Sequence, residues 1–429
     1  MDEKEKIIED LEITAATAGA APVQLPGRVI SIFPALAHRN FQLYFAGQAL
    51  SLIGFWLHQV GIGYYVFQMT HSPFWVGATI AVFGLPFLLF TTIAGVLADR
   101  IDKQKLLIST QILDAVLAVL LGLAVINGVA SLNVVLILTF MSGVTGAFDL
   151  PTRLAFIIEM VGRRDLASAI PINNGLFNAA RFVGPALAGF LIATIGVGYT
   201  FIFNGLSYLP AIAAIFAIKP IKFRQRKDRS HPLVSLKLGV VYSFKHPQIS
   251  CLILIAALTA VFIWPYATLM PVIAEKIFKV GPQGLGSLLS AAGAGSLVGA
   301  VFTSAMSKFK TKGYLVLFGI IVSSVNLILF ALNDNFLIAH VLLFVAGFGL
   351  LTQVATVNTL IQIASPQHMR ARIMGVYLTM FIGIIPFGNL LSGILAEKTS
   401  SLFTIGLGAT VVLTCGILLY VRGVFSSLH

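Results

Sequence analysis

The chain has 429 residues, of which 58% are hydrophobic and only 10% charged, and its mean hydropathy is +0.94. That composition excludes a water-soluble globule. The formal net charge of +12 falls between apolar runs and so points to membrane topology, with no nucleic-acid partner expected.

Twelve apolar runs recur, each long enough for the roughly 20 residues a bilayer crossing needs: 41–67, 74–98, 104–126, 132–151, 167–195, 199–218, 248–273, 284–307, 313–331, 337–362, 372–396 and 402–422. Apolar character all round each run argues helix, because a barrel strand would alternate and span only about ten residues. The expected fold class is an all-α membrane protein of twelve transmembrane helices in two six-helix halves. The halves are expected at 41–218 and 248–422, with tails at 1–40 and 423–429 and a basic linker at 219–247. Residues 1–22 lack a basic start followed by an apolar core, so no cleavable signal peptide is expected. They open instead with an acidic cluster (Asp2, Glu3, Glu5, Glu9, Asp10, Glu12) to which no function is assigned.

Helix 1 carries Gln48, Ser51, Trp56, His58 and Gln59 among apolar neighbours. Trp56 and Gln59 are candidates to line a substrate cavity. His58 is a candidate proton carrier, since imidazole changes charge near neutral pH; a lone histidine near a helix end also serves as a packing residue. Between helices 2 and 3, Gly95-Val-Leu-Ala-Asp-Arg-Ile-Asp-Lys-Gln-Lys105 packs Asp99, Asp102, Arg100, Lys103 and Lys105 into one turn. Asp114 on helix 3 follows Lys105 by nine residues, or roughly 13 Å into the bilayer. A carboxylate there must be paired, protonated or facing water. Helix 4 ends in a polar stretch that includes Asp149, Arg153 and Glu159.

Helix 5 places Asn174, Asn178 and Arg181 on one face. This stripe either lines a path or relays charge, or it clamps helices together; whether Asp114 and Arg181 meet is open at this level. Further along, Gly184, Ala188 and Gly189 permit close helix approach, and Pro185 frees a carbonyl and allows bending. The linker is basic, with Lys219, Lys222, Arg224, Arg226, Lys227 and Arg229 against Asp228. In the second half, Trp264 and Tyr266 flank Pro265, helix 10 offers Gln353, Asn358 and Gln362, and helix 11 offers Tyr377 and Asn389. Aromatic walls with neutral polar contacts suit an amphipathic organic molecule, and equally suit packing. Gly184 and Gly189 recur as Gly388 and Gly393, Gly143 as Gly347 and Trp56 as Trp264, so the halves repeat. Parallel repeats of this kind place a substrate site between them near the bilayer midplane.

Charge sets the expected orientation. One set of turns carries Arg100, Lys103, Lys105, Arg153, Arg163, Arg164, the linker cations, Lys308, Lys310, Lys312, Arg370 and Arg372; the opposite set carries Lys276, Lys279 and Lys398. Basic turns stay on the cytoplasmic side, so both termini are expected there, with some attraction to anionic lipid. Cys251 and Cys415 fall inside helices without metal-ligand spacing and read as buried thiols. There is no histidine-carboxylate cluster at metal spacing, no G-x-S-x-G and no Walker phosphate loop. No enzyme, cofactor or metal site is therefore expected, and any transport by the chain would have to draw on an ion gradient or on the substrate's own.

Several stretches carry a family resemblance. G-x-L-A-D-R-x-x-K-x-K-L from Gly95 resembles the helix 2–3 loop of the major facilitator superfamily, with Asp102 where glycine is usual. Ser51–Val60 with Gly63, the run Phe148-Asp-Leu-Pro-Thr-Arg-Leu-Ala-Phe156, and Phe177-Asn-Ala-Ala-Arg-Phe-Val-Gly-Pro-Ala-Leu-Ala-Gly189 resemble its secretion-effector branch, which includes enterobactin-type siderophore exporters and macrolide-efflux proteins. Gly184-Pro185-x-x-Ala188-Gly189 resembles the helix 5 motif of antiporters, while Thr139 stands where drug antiporters carry a buried arginine. The resemblance implies the major facilitator fold, a bacterial inner-membrane location, a monomer, and a gating contact of Gly95, Asp99, Arg100 and Lys103 with Arg370 and Arg372. It also implies proton-coupled export of an amphipathic small molecule such as a siderophore, macrolide or other drug. A lipid or solute transporter working in the uptake or facilitative direction, and a non-transporting sensor on the same fold, are the alternatives.

Overall fold

The computed structural model describes residues 33–162, 164–219, 232–306, 312–367 and 369–422. The acidic cluster of the N-terminal tail, Arg163, the linker cations Lys222 to Arg229, Lys308, Lys310 and the 423–429 tail lie outside the described residues, as do the side chains of Asp99 and Arg100.

The first half is six helices: α1 (Arg39–Thr70), α2 (Pro73–Arg100), α3 (Lys103–Ile126), α4 (Leu132–Val161), α5 (Leu166–Ile195) and α6 (Val197–Ala217). A further helix, α7 (Pro232–Lys245), stands where the sequence predicts only a polar linker. The second half comprises α8 (Pro247–Leu258), α9 (Tyr266–Lys276), α10 (Gly281–Ala305), α11 (Lys312–Ala331), α12 (Phe336–Ala364), α13 (Arg370–Phe381), α14 (Ile385–Lys398) and α15 (Ser401–Val421). Pairing α8 with α9 and α13 with α14 gives twelve spans long and apolar enough to cross a membrane among the described residues. An even number of crossings returns the chain to the face it started from.

Local chemistry sets the ends and breaks. Asp102 accepts hydrogen bonds from Gln104 N at 3.0 Å and Lys105 N at 3.2 Å. It therefore caps α3 with an ordinary negative φ, which explains an aspartate where the family resemblance implies glycine. Ser72, Asn335 and Ser400 cap α2, α12 and α15 in the same way. Helix α4 continues past the expected end at 151 to Val161, because its polar stretch is satisfied inside the half. The seventh span breaks at a π-helical turn, Thr259–Ile263, just before Trp264 and Pro265. Proline's missing N–H makes that discontinuity inexpensive. The eleventh span breaks between Phe381 and Ile385, beside Gly383 and Pro386.

Among the described residues, the extensive packing between the halves lies away from the termini face. Helix α5 crosses α10, α2 crosses α14, and α9 packs on α1 and α2. A Cβ on Gly189 would stand 2.5 Å from the Pro282 carbonyl, and one on Gly77 would stand 2.4 Å from that of Asn389. Both crossings therefore depend on glycine. Segments α8 and α13, on the termini face, pack instead on α7, α12 and each other. Gly95, Gly175 and Gly375, toward that face on α2, α5 and α13, meet nothing within 4 Å. Among the described residues, the two halves are thus joined on the face remote from the termini and part toward the termini.

Side chains fasten the joined face. Ser72 Oγ donates to Glu397 Oε2 at 2.8 Å and the Phe74 N–H donates to the same oxygen at 3.3 Å. Lys276 Nζ donates to the His71 carbonyl at 3.1 Å and lies 5.3 Å from the Phe67 ring centroid.

Candidate functional site

Among the described residues, two clusters centred on charged side chains lie well inside the spans. The first lies inside the first half, on α1, α3 and α4. Arg153 meets Asp149 through Nε at 2.9 Å and Nη2 at 2.5 Å, the i,i+4 spacing of one helix face. Its Nη1 donates to Gln48 Oε1 at 2.5 Å, and Thr110 Oγ1 donates to Asp149 Oδ1 at 3.3 Å. Tyr44 and Tyr208 are buried beside this pair. Asp114, one turn along α3 from Thr110, accepts from the Thr145 hydroxyl and forms no ion pair among the described residues.

Thr145 has one hydroxyl proton but faces two acceptors, Asp114 Oδ1 and the Ser142 carbonyl at 2.8 Å. A carboxylate leaves one of them short. A protonated Asp114 satisfies both, donating to Thr145 Oγ while Thr145 donates to Ser142. Its neutral and charged forms thus differ by one hydrogen bond, and no salt bridge has to break.

The second group lies between the halves. Arg181 on α5 sits over the Trp56 ring of α1 at 5.6 Å and over the Trp264 ring of the second half at 5.0 Å. Asp114 and Arg181 therefore do not meet: each has taken a partner elsewhere. Around Arg181 the rings continue. Trp56 contacts Phe177 at 5.6 Å and Phe55 at 5.6 Å, while Trp264 contacts Phe381, which stacks on Tyr377 at 5.9 Å. Gly184 lets Trp56 approach α5, because a Cβ there would stand 2.4 Å from the tryptophan Cβ. Backbone packing at Pro185, Ala188 and Gly189 then brings α10 across.

The remaining sequence candidates divide. Tyr377 is buried and hydrogen-bonded to Asn358, so these two join the aromatic wall. Asn178 donates to the Asn174 carbonyl at 2.8 Å and Asn174 is exposed, so both lie toward the open end of α5, below Arg181. Gln353 donates to Thr259 Oγ1 at 2.6 Å and holds the π-helical turn within the second half. Tyr266 is buried in the core of that half, and Gln59 is half-buried on α1. His58 packs on the Phe201 ring of α6 at 5.1 Å, inside the first half. Lys103 turns inward and donates to Glu159 Oε1 on α4 at 2.8 Å, while Arg370 is exposed and Arg372 reaches the Met369 sulfur at 3.6 Å.

Sequence reasoning missed Glu159, Gln48, Thr145, Phe381 and Glu397 as site residues. Glu159 and Arg153 carry a visible signal, an intramembrane charge near an opposite charge. A lone acid at the end of helix 11 gives no hint that it reaches α2. Among the described residues no group of three His, Cys, Asp or Glu is placed to hold a metal.

Comparison with known proteins supplies the family. The transmembrane secretion effector family model matches residues 30–426. The chain is 24% identical over 82% of its length, and 89% of the relative's, to the staphyloferrin A transporter of Staphylococcus aureus. It is 26% identical over 82% of its length, and 86% of the relative's, to the multidrug efflux pump Tap of Mycolicibacterium fortuitum. The enterobactin exporter EntS of Escherichia coli is 23% identical over 89% of this chain and 91% of its own. Among solved structures, the nucleoside transporter NupG superposes with a TM-score of 0.69 at 13% identity, covering 89% of this chain and 98% of its own. A POT family transporter in complex with 5-aminolevulinic acid gives 0.70 at 11% identity, covering 90% and 96%. These structures share the fold. The chain belongs to the transmembrane secretion effector family of the major facilitator superfamily.

Proposed function

We propose that this chain is a secondary exporter that carries an amphipathic small molecule across the bacterial inner membrane by alternating access, driven by protons. The observation that carries the proposal is the asymmetry of packing: the halves are joined on the face away from the termini and part toward them. Cargo entering from the termini side then meets the Trp56–Arg181–Trp264 group at the closed end. The basic turns on the termini side support a cytoplasmic location for that side, so the open cleft faces the compartment from which an exporter takes its cargo. Relatives named as a siderophore exporter and a multidrug efflux pump support the same direction. One chain supplies both halves of the path, so a monomer suffices, surrounded by lipid.

Asp114 is the proton site in this proposal. It stands in the first half next to the Asp149–Arg153 pair, and its hydrogen bonding is better satisfied when protonated. The test is accumulation of a labelled siderophore or macrolide in everted membrane vesicles, with and without an imposed pH gradient. Expected is uptake that rises several-fold with an acidic lumen and collapses with a protonophore. Uptake indifferent to the gradient would contradict proton coupling, and absence of uptake would contradict export.

A further inference from the structure

Arg181 poses a question that packing alone does not answer. Its side chain is 8% exposed at a depth where an ionised group is costly unless compensated. None of the ion pairs formed among the described residues includes it, and no hydrogen bond to a described residue engages it. Its compensation comes from two indole faces, Trp56 at 5.6 Å and Trp264 at 5.0 Å. Cation–π contact stabilises a guanidinium through its faces and leaves the five in-plane N–H donors without acceptors. Its nitrogens are also absent from the fully enclosed, unpartnered polar atoms, so they remain open to the cleft. The Trp56 Nε1–H beside it also lacks an acceptor, though it is enclosed where the guanidinium nitrogens are open.

Donors without acceptors define what is missing. A neutral amide or a cation would bring further donors, whereas a carboxylate or similar planar anion brings acceptors only. The guanidinium fork matches a carboxylate in two parallel hydrogen bonds. The surroundings define the rest of the ligand. Phe55, Phe83, Phe177 and Trp56 form a chain of ring contacts on one side, and Trp264, Phe381 and Tyr377 form one on the other. We infer that Arg181, framed by Trp56 and Trp264, is the recognition site for the carboxylate or equivalent anionic group of an aromatic or apolar organic acid. This rests on the proposal that the cleft between the halves carries cargo. It narrows that cargo from amphipathic molecules in general to organic anions.

A guanidinium that only ties the halves together would fill the same place without preferring anions, and binding separates the two. The purified full chain carrying Trp75→Phe, reconstituted in protein-free lipid vesicles, reports through Trp56 and Trp264 alone, since the sequence holds three tryptophans. Titration with 4-phenylbutyrate and with its uncharged amide, 4-phenylbutyramide, gives two affinities from tryptophan fluorescence. Expected is an acid bound about tenfold more tightly than the amide, the ratio that ~1.4 kcal/mol supports. Arg181→Gln should bring the two within about twofold of each other, and Arg181→Lys should keep part of the preference, since it retains the charge but not the fork. Equal affinities in the parent protein, saturable binding of neither compound, or a preference undiminished in Arg181→Gln would each overturn the inference. The parent comparison needs no folded variant. Because binding is measured without a gradient, failure here is distinct from failure of the vesicle assay.

Discussion

At the scale of single residues, the membrane interior sorts its charges by the partner each has found. Arg153 has a carboxylate and an amide, Lys103 has Glu159, Arg181 has two rings, and Asp114 has a hydroxyl. Of these, only Asp114 can gain or lose a proton without breaking an ion pair. Asp114→Asn keeps the size and an acceptor for Thr145 but cannot exchange a proton. It is expected to lower gradient-driven uptake to the level seen without a gradient while ligand binding stays within about twofold; gradient dependence surviving in the Asn variant would remove Asp114 from the coupling. The Lys103–Glu159 pair gives a contrasting prediction, because its side chains are only 8% and 15% exposed. Removing one partner strands a charge, so Lys103→Met should cost about 3 kcal/mol in thermal unfolding. The double variant Lys103→Met with Glu159→Leu should recover most of that loss. Equal losses in the single and double variants would show that the pair does not act as a unit.

At the scale of elements, the crossing of α5 over α10 is the contact that the proposed alternating-access motion would have to make and release. Gly189 and Gly286 face each other there: a Cβ on Gly286 would stand 2.4 Å from the Pro185 carbonyl. Gly189→Val should therefore oppose closure of the far face, cutting transport about tenfold or more, as loss of ~1.4 kcal/mol from one state would do. Insertion and expression should be unaffected, since the proposed cycle confines the clash to the state closed on the far face. Normal transport by the valine variant would show that this crossing is not part of the cycle. The same elements show what is legible in the sequence. All twelve spans follow from apolar run length, and the close-packing glycines of α5 from their spacing. Helix α4 reads too short because apolarity stops at Asp149, whereas the helix continues wherever polar side chains can satisfy one another. Helix α7 is hidden inside a basic stretch, where Leu238, Val241 and Phe244, all exposed, give only a short apolar pattern. Partners across the halves, Arg181 with Trp264 and Glu397 with Ser72, are not legible, because contact between distant segments depends on how two repeats dock.

At the scale of the whole molecule, two repeats meet along one end and leave the other apart. The joined end is fastened by Glu397 against the start of α2 and by Lys276 against the end of α1. Charge-assisted hydrogen bonds of this kind are discounted by water at an exposed site, so they bias the equilibrium without fixing it. In the proposed cycle, the gating contact expected between Asp99 and Arg370 or Arg372 would form in the opposite state, in which the termini face closes. Arg370, exposed here, is free to take part. The proposed cycle requires two states of comparable free energy, one held by the far-face contacts seen here and one by contacts near the termini, with cargo and protons shifting the populations.

Paired spin-label distances test this claim most directly. In a background of Cys251→Ser and Cys415→Ser, one label pair replaces Gly95 and Gly375 on the termini side, where a side chain meets open space. The other pair replaces Asn127 and Asp334 on the far face, both exposed. The account predicts that each pair shows two distance populations and that they move in opposite senses. When acid pH or a bound organic acid shortens the Gly95–Gly375 distance, the Asn127–Asp334 distance lengthens. Distances that stay single and fixed under every condition, or that lengthen and shorten together, would contradict alternating access in this protein.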